Sequence, residues 1–375
     1  MSNQMEHFLL VAVATLVPLV LYLWFRRAPR GPTDVPAAPL PVPESTPVPA
    51  AVADVPAAAD DTATCPPALL DFPWRRAADL EDGQRQALLQ RYRQVPRPPR
   101  LLSQLLSREF VNEASARELA DLIAAEPLLA ARVLKAVNSP LYGLPRPVGS
   151  IAQAVSLLGL TAVRIVCLRY IFIASFKTDD PLRQLALQQT WTASALASEL
   201  TQRLAASLGM DPHGQLAGAV VLSFLGRLAT VATMPLDQLA ALPPPGRLAR
   251  VAAEQQGLGL GASEIGRLLM GDWGLPAAVV DEAADIDAAM LVPLDGVAAE
   301  RLARLSLGCL CARLGERLAT GELQDLARWE LLADPSPEFF RLRAGLGPGR
   351  MATLAERLRE PALAQALGRI AAGPG

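Results

Sequence analysis

The chain has 375 residues, of which 51% are hydrophobic and only 5% aromatic, and its formal net charge is −2. That length admits roughly two domains, or one large core with appendages. The near-neutral balance excludes an overall field that would draw the chain to nucleic acid or anionic lipid. Abundant Ala and Leu with few β-branched runs predict an all-α protein.

At the N-terminus, Phe8 to Phe25 is uncharged and apolar, close to the ~20 residues a helix needs to cross a bilayer. Tyr22 and Trp24 stand at its end, and Arg26, Arg27 and Arg30 follow at once. Basic residues after the apolar run, with no small-x-small site beyond it, favour a retained transmembrane anchor (8–25) over a cleaved signal peptide. The positive-inside rule then puts the short N-terminus outside and the main domain in the cytoplasm, at the inner (cytoplasmic) membrane. Residues 28–73 are Pro, Ala, Val, Asp and Thr with little to bury, so a disordered spacer is expected there.

Asp79 to Gln94 suits a short polar helix, and the globular part begins near Pro96 with a stripe of Leu101, Leu102, Leu105 and Leu106. Ser115 and Glu118 have the spacing of a capping box for the next helix. From Glu126 to Leu160 the pattern is helix, Pro-rich turn, helix. Pro127 suits a first helical position, Asn138-Ser139-Pro140 stops the helix, and Ser150 with Gln153 restarts it until Gly159 closes it.

Thr161 to Phe176 is apolar nearly all round apart from Arg164 and Arg169, which predicts a buried central helix. A long helix follows over Pro181–Leu208, then an apolar stretch from Leu216 to Thr233, then a break at Pro243-Pro244-Pro245-Gly246. Helices are expected over Arg247–Gln256 and Ala262–Met270, after Trp273-Gly-Leu-Pro276, and over Val297–Ala319, Glu322–Leu332 and Pro337 to the end, split by Gly and Pro.

Acidic-Pro-x-Leu at 126–129, Arg-Val-Leu at 132–134, Asn-Ser-Pro-x-Tyr at 138–142, Ser-Ile-x-x-Ala-Val-x-x-Leu-Gly at 150–159 and the later Trp-Gly-Leu-Pro together resemble the HDOD domain. That is an all-helical bacterial module related to HD-type metal phosphohydrolases. The resemblance covers residues 96–290 and leaves 291–375 as a helical C-terminal extension. It implies a role in bacterial signal transduction.

The same resemblance shows what is missing. A working HD-type hydrolase gathers histidines and aspartates around metal ions that activate a water. Where relatives carry His-Asp before x-Gly, this chain has Ser223 and Phe224, and where a further histidine precedes Glu-x-Gly it has Ala262. The closing histidine pair falls near Asp285 to Asp287, which contains none. The chain has two histidines in all, His7 and His213. No catalytic residue, metal or cofactor is therefore expected, and Ser223, Phe224 and Ala262 stand as degenerate metal-site positions.

Other constellations are weaker. Asp281, Glu282, Asp285 and Asp287 cluster, with Asp281 and Asp285 one turn apart, a spacing equally ordinary on a solvated helix face. The four cysteines form no CxxC pair and suit a reducing compartment. All basic residues except Lys135 and Lys177 are arginine, a bias attributable to codon usage. The expectation is a membrane-tethered, non-catalytic scaffold that binds protein partners or small ligands, with Asn138, Ser139 and Tyr142 as the first residues to test. The alternative is a degenerate phosphohydrolase with residual nucleotide binding.

Overall fold

Helix starts in this chain are set by residues that cap, or do without, the unpaired N–H groups of the first turn. The structure, a computed structural model, describes residues 65–95, 104–105, 115–138, 144, 146–176, 178–210, 213–242 and 246–371. Proline opens α1 (Pro67–Leu70), α4 (Pro127–Val137), α7 (Pro181–Ser207) and α16 (Pro361–Ala371), where its missing donor costs nothing. Ser115 opens α3 (Ala116–Ala124) with the expected box: its Oγ accepts from the Glu118 N–H at 3.2 Å, and its own N–H donates to Glu118 at 2.6 Å. Ser150 caps α5 (Ile151–Leu158) in the same way, but the returning contact from Gln153 goes to the Gly149 N–H, one residue earlier than the spacing suggests.

Among the described residues every regular element is helical. After the short α2 (Asp82–Arg91), helices α3 to α5 pack with α6 (Leu160–Ser175) as a first group. The buried faces of α6 include Val163, Cys167 and Leu168, as expected of a central helix. The apolar run from Gln215 to Thr233 divides into α8 (His213–Ser223) and α9 (Leu225–Thr233). By length and hydropathy this run could cross a membrane, yet 83% of it is buried inside the bundle, which is where a core helix belongs.

The remaining helices are α10 (Leu236–Ala240), α11 (Arg247–Leu258), α12 (Ala262–Asp272), α13 (Ala277–Leu291), α14 (Ala299–Ala319) and α15 (Phe340–Arg357). The most extensive pairing joins α7 to α14. It depends on Gly315, because a Cβ there would lie 2.4 Å from the Ala193 carbonyl oxygen, so the two backbones approach as no larger residue allows. The extension beyond residue 290 therefore supplies a helix to the core of the bundle.

Two sequence expectations differ from the structure. Glu322–Leu332 is not a helix; it holds a 3-10 turn at Leu326–Arg328, because Asp325 accepts from the Ala327 N–H and Trp329 donates to Asp334 at 2.7 Å, fixing a loop instead. The spacer expected over 28–73 ends earlier than drawn. Cys65–Pro73 lies on the bundle with Leu69 buried, since Arg341 donates to the Leu69 carbonyl. In the tail, where helices split by Gly and Pro are expected, α15 is interrupted at Gly347 (φ +75°), ahead of Pro348. The span expected at 8–25 and the rest of the spacer lie outside the described residues.

Candidate functional site

Ser223, Phe224 and Ala262 flank the crossing of α9 and α12. A Cβ on Gly226 would lie 1.7 Å from the Ala262 carbonyl oxygen and 2.6 Å from the Gly266 nitrogen, so the helices touch backbone to backbone. Ser223 is buried at the end of α8, and its hydroxyl donates to the Val220 carbonyl at 2.8 Å. Phe224 is buried in the core between α8 and α9. Ala262 opens α12, and its N–H donates to the buried Glu254 carboxyl at 2.8 Å.

Around this crossing sits a buried network that sequence pattern does not foretell. Arg247, the first residue of α11, places its guanidinium between Asp287 of α13 and Glu316 of α14. Arg227, the neighbour of Gly226, pairs with the same Glu316. Arg313 donates from Nε to Glu338 at 2.5 Å and from Nη2 to Glu322 at 3.2 Å, and Glu338 also accepts from the Arg247 backbone N–H. Arg317 continues the chain of pairs to Glu322 at 2.9 Å and Asp334 at 3.1 Å.

Burial works against the charge on Arg247, but Asp287 and Glu316 outweigh it and raise its pKa well above the ordinary arginine value. The cation stays charged. Burial likewise raises the pKa values of Glu254 and Asp287, in both cases against the opposing pull of Arg247. Arg227, Arg247 and Arg313 face Asp287, Glu316 and Glu338. Such a cluster is held by mutual attraction at low local dielectric, and each member is costly to remove singly.

The residues present do not fit a metal pair. Asp287 and Glu316, the acidic oxygens beside the degenerate positions, already accept from guanidinium groups, while Ser223, Phe224 and Ala262 contribute no imidazole or carboxylate. His213 is the first residue of α8, and His7 lies outside the described residues. Among the described residues no group of three or more His, Cys, Asp or Glu could hold a metal ion.

The acidic cluster on α13 is also neutralised. Asp281 and Asp285 share Arg267, at 2.5 and 2.6 Å, Asp285 also accepts from Arg301 at 2.9 Å, and Glu282 pairs with Arg304 at 2.8 Å. The one-turn spacing of Asp281 and Asp285 serves to bind one arginine. Asn138 ends α4 and clasps the far side of the Pro-rich turn: its Oδ1 accepts from the Val148 N–H at 2.7 Å and its Nδ2 donates to the Val148 carbonyl at 2.9 Å. Ser139 and Tyr142 lie outside the described residues.

The sequence profile of the HDOD domain matches residues 95–288, more than half of the chain. The chain belongs to the HDOD family. No curated protein matches it. Among solved structures, an HDOD domain protein from Geobacter sulfurreducens is similar with a TM-score of 0.58 and 18% identity, covering 78% of this chain and 96% of that one. A protein from Shewanella amazonensis SB2B, provisionally named a phosphohydrolase, gives 0.54 and 20%, covering 77% and 97%. One from Marinobacter aquaeolei VT8, provisionally named for signal transduction, gives 0.50 and 22%, covering 82% and 63%. These likenesses establish the fold alone. Glu316 and Glu338 both lie beyond the HDOD match, so the C-terminal helices contribute the acids that close the network.

Proposed function

We propose that this HDOD protein is a non-catalytic regulatory scaffold that handles a signal by binding protein partners. The observation that carries this reading is the charged Arg247, ion-paired to Asp287 and Glu316 beside the positions where relatives keep their metal ligands. A built-in cation occupies the acidic groups there, and displacing it would strand buried carboxylates. What such a bundle retains is its surface and its inter-helical grooves, which suit partner segments. Residues 8–25 would tether it to the inner membrane with the bundle in the cytoplasm, which the apolar run and the arginines after it support.

The test is direct. The full-length chain in detergent is assayed with Mg2+ and Mn2+ against phosphodiesters and cyclic dinucleotides, and its partners are captured by crosslinking in intact membranes. The proposal expects no turnover and specific crosslinked partners. Metal-dependent turnover that disappears on D281N/D285N or D287N would overturn it.

A further inference from the structure

The segment before the HDOD match is bound to the bundle as a peptide is bound to a receptor. The Gln255 side chain reads its main chain on both sides of Trp74: Oε1 accepts from the Arg75 N–H at 2.7 Å, and Nε2 donates to the Pro73 carbonyl at 2.6 Å. Glu264 of α12 accepts from the Ala77 N–H at 2.7 Å. Arg341 of α15 donates to the Leu69 carbonyl at 3.3 Å. These three receptor side chains are all buried. The Trp74 ring lies against Gly261 at the α11–α12 junction, at van der Waals distance (3.6 Å) from where a Cβ there would stand.

We propose that the groove between α11 and α12 is a docking site for an extended, proline- and aromatic-containing segment of a partner protein, which the chain's own Pro73–Ala77 strap occupies until the partner displaces it. This rests on the binding role proposed above and names where the binding occurs. The chemistry of the occupant follows from what the groove touches. A Gln amide that pairs with one backbone carbonyl and one backbone N–H selects extended main chain, and a Pro at the carbonyl position loses nothing because its missing N–H is not read. The strap's contacts to α11 and α12 go to side chains, not to a helix or sheet ladder, so it can part from the groove while Leu69 before it and Tyr92 and Val95 after it stay buried in the core. Because the strap is tethered, its effective concentration is high, and a free peptide competes poorly with it until the tethered contact is weakened.

The experiment uses full-length chains and a fluorescein-labelled peptide of residues 68–80 read by anisotropy. Two variants weaken the strap in different ways: W74A removes the ring on Gly261, and R75P removes the N–H that Gln255 reads. Either is expected to bind the peptide at least tenfold tighter than wild type. Adding Q255A to the same variant is expected to reverse the gain. The Arg75 and Ala77 amides should exchange faster in W74A, and the Ala77 amide faster in R75P, while the α7–α14 amides stay protected. Equal weak binding by wild type and both variants, with the strap amides released, would overturn the proposal. Concentration-dependent dimers of W74A without peptide binding would also overturn it, since the occupant would then be a second copy. Failure of the binding role shows as turnover in the phosphodiester assay, and failure of the groove shows here, so the two are separable.

Discussion

Arg247 at the start of α11 is ion-paired with Asp287 near the end of α13, and both side chains are almost withdrawn from water, 11% and 3% exposed. Glu316, 7% exposed, takes the other side of the same guanidinium. An arginine suits this place because its planar fork reaches two carboxylates at once, which a lysine ammonium does less well. Breaking a buried pair by removing one partner leaves an uncompensated charge, a cost of about 3–5 kcal/mol. R247L is therefore expected to destabilise by about that amount in urea denaturation, R247K to recover only part of it, and R247L/D287L to cost less than the sum of its two single changes.

The crossing of α9 and α12 gives a steric prediction with an internal control. G226A places a Cβ on the Ala262 carbonyl and must push two helices apart, so a loss of about 3 kcal/mol or more is expected. A Cβ added to Gly218 in α8 would meet no atom within 4 Å, so G218A is expected to be neutral or to stabilise by up to about 1 kcal/mol. Melting temperatures of the two variants compare them.

The Glu254 carboxyl yields a pH prediction. Burial raises its pKa, so the folded chain keeps a proton that the unfolded chain releases. That contribution is fully present below the ordinary glutamic acid range and is lost as pH rises toward the elevated folded value. Gln keeps the neutral form at every pH. E254Q is therefore expected to match wild type near pH 4 and to gain stability over it steadily as pH rises above the ordinary range, measured as the difference in urea midpoints.

Asn138 gives a local test at the turn. Its amide makes two hydrogen bonds to Val148, each worth about 0.5–1.5 kcal/mol net. N138A is expected to cost about 1–2 kcal/mol and to speed hydrogen exchange at the Val148 amide, while N138D, which keeps only the acceptor, falls between.

Much of the fold could be read from local pattern, and much of the site could not. Pro127, Pro181, Ser115 and Gly159 act within a turn of where they stand, so their helix boundaries were legible from the sequence. Membership of the HDOD family was legible too, from the motifs at 126–159 and Trp273–Pro276. The buried network around Arg247 was not. Arg247 meets Asp287 and Glu316 across 40 and 69 residues, and Glu338 reaches back 91. No periodicity encodes such meetings. One available signal was an arginine directly after the Pro-Pro-Pro-Gly break, at the mouth of a helix, in a chain where arginine almost wholly replaces lysine. That bias, whatever its origin in codon usage, gives the core its two-carboxylate bridges. The Glu322–Leu332 expectation failed for a related reason: Asp325, Trp329 and Asp334 turn their polar groups to side-chain contacts that a helix would not allow.

Arg247 holds the acidic groups Asp287 and Glu316 beside Ser223, Phe224 and Ala262, and the proposed function needs them to stay closed to a metal ion. Titrating Mn2+ into the full-length chain, followed by calorimetry and by melting temperature, tests it most directly. The account predicts no saturable binding and an unchanged melting temperature; a stoichiometric site that D287N abolishes would contradict it.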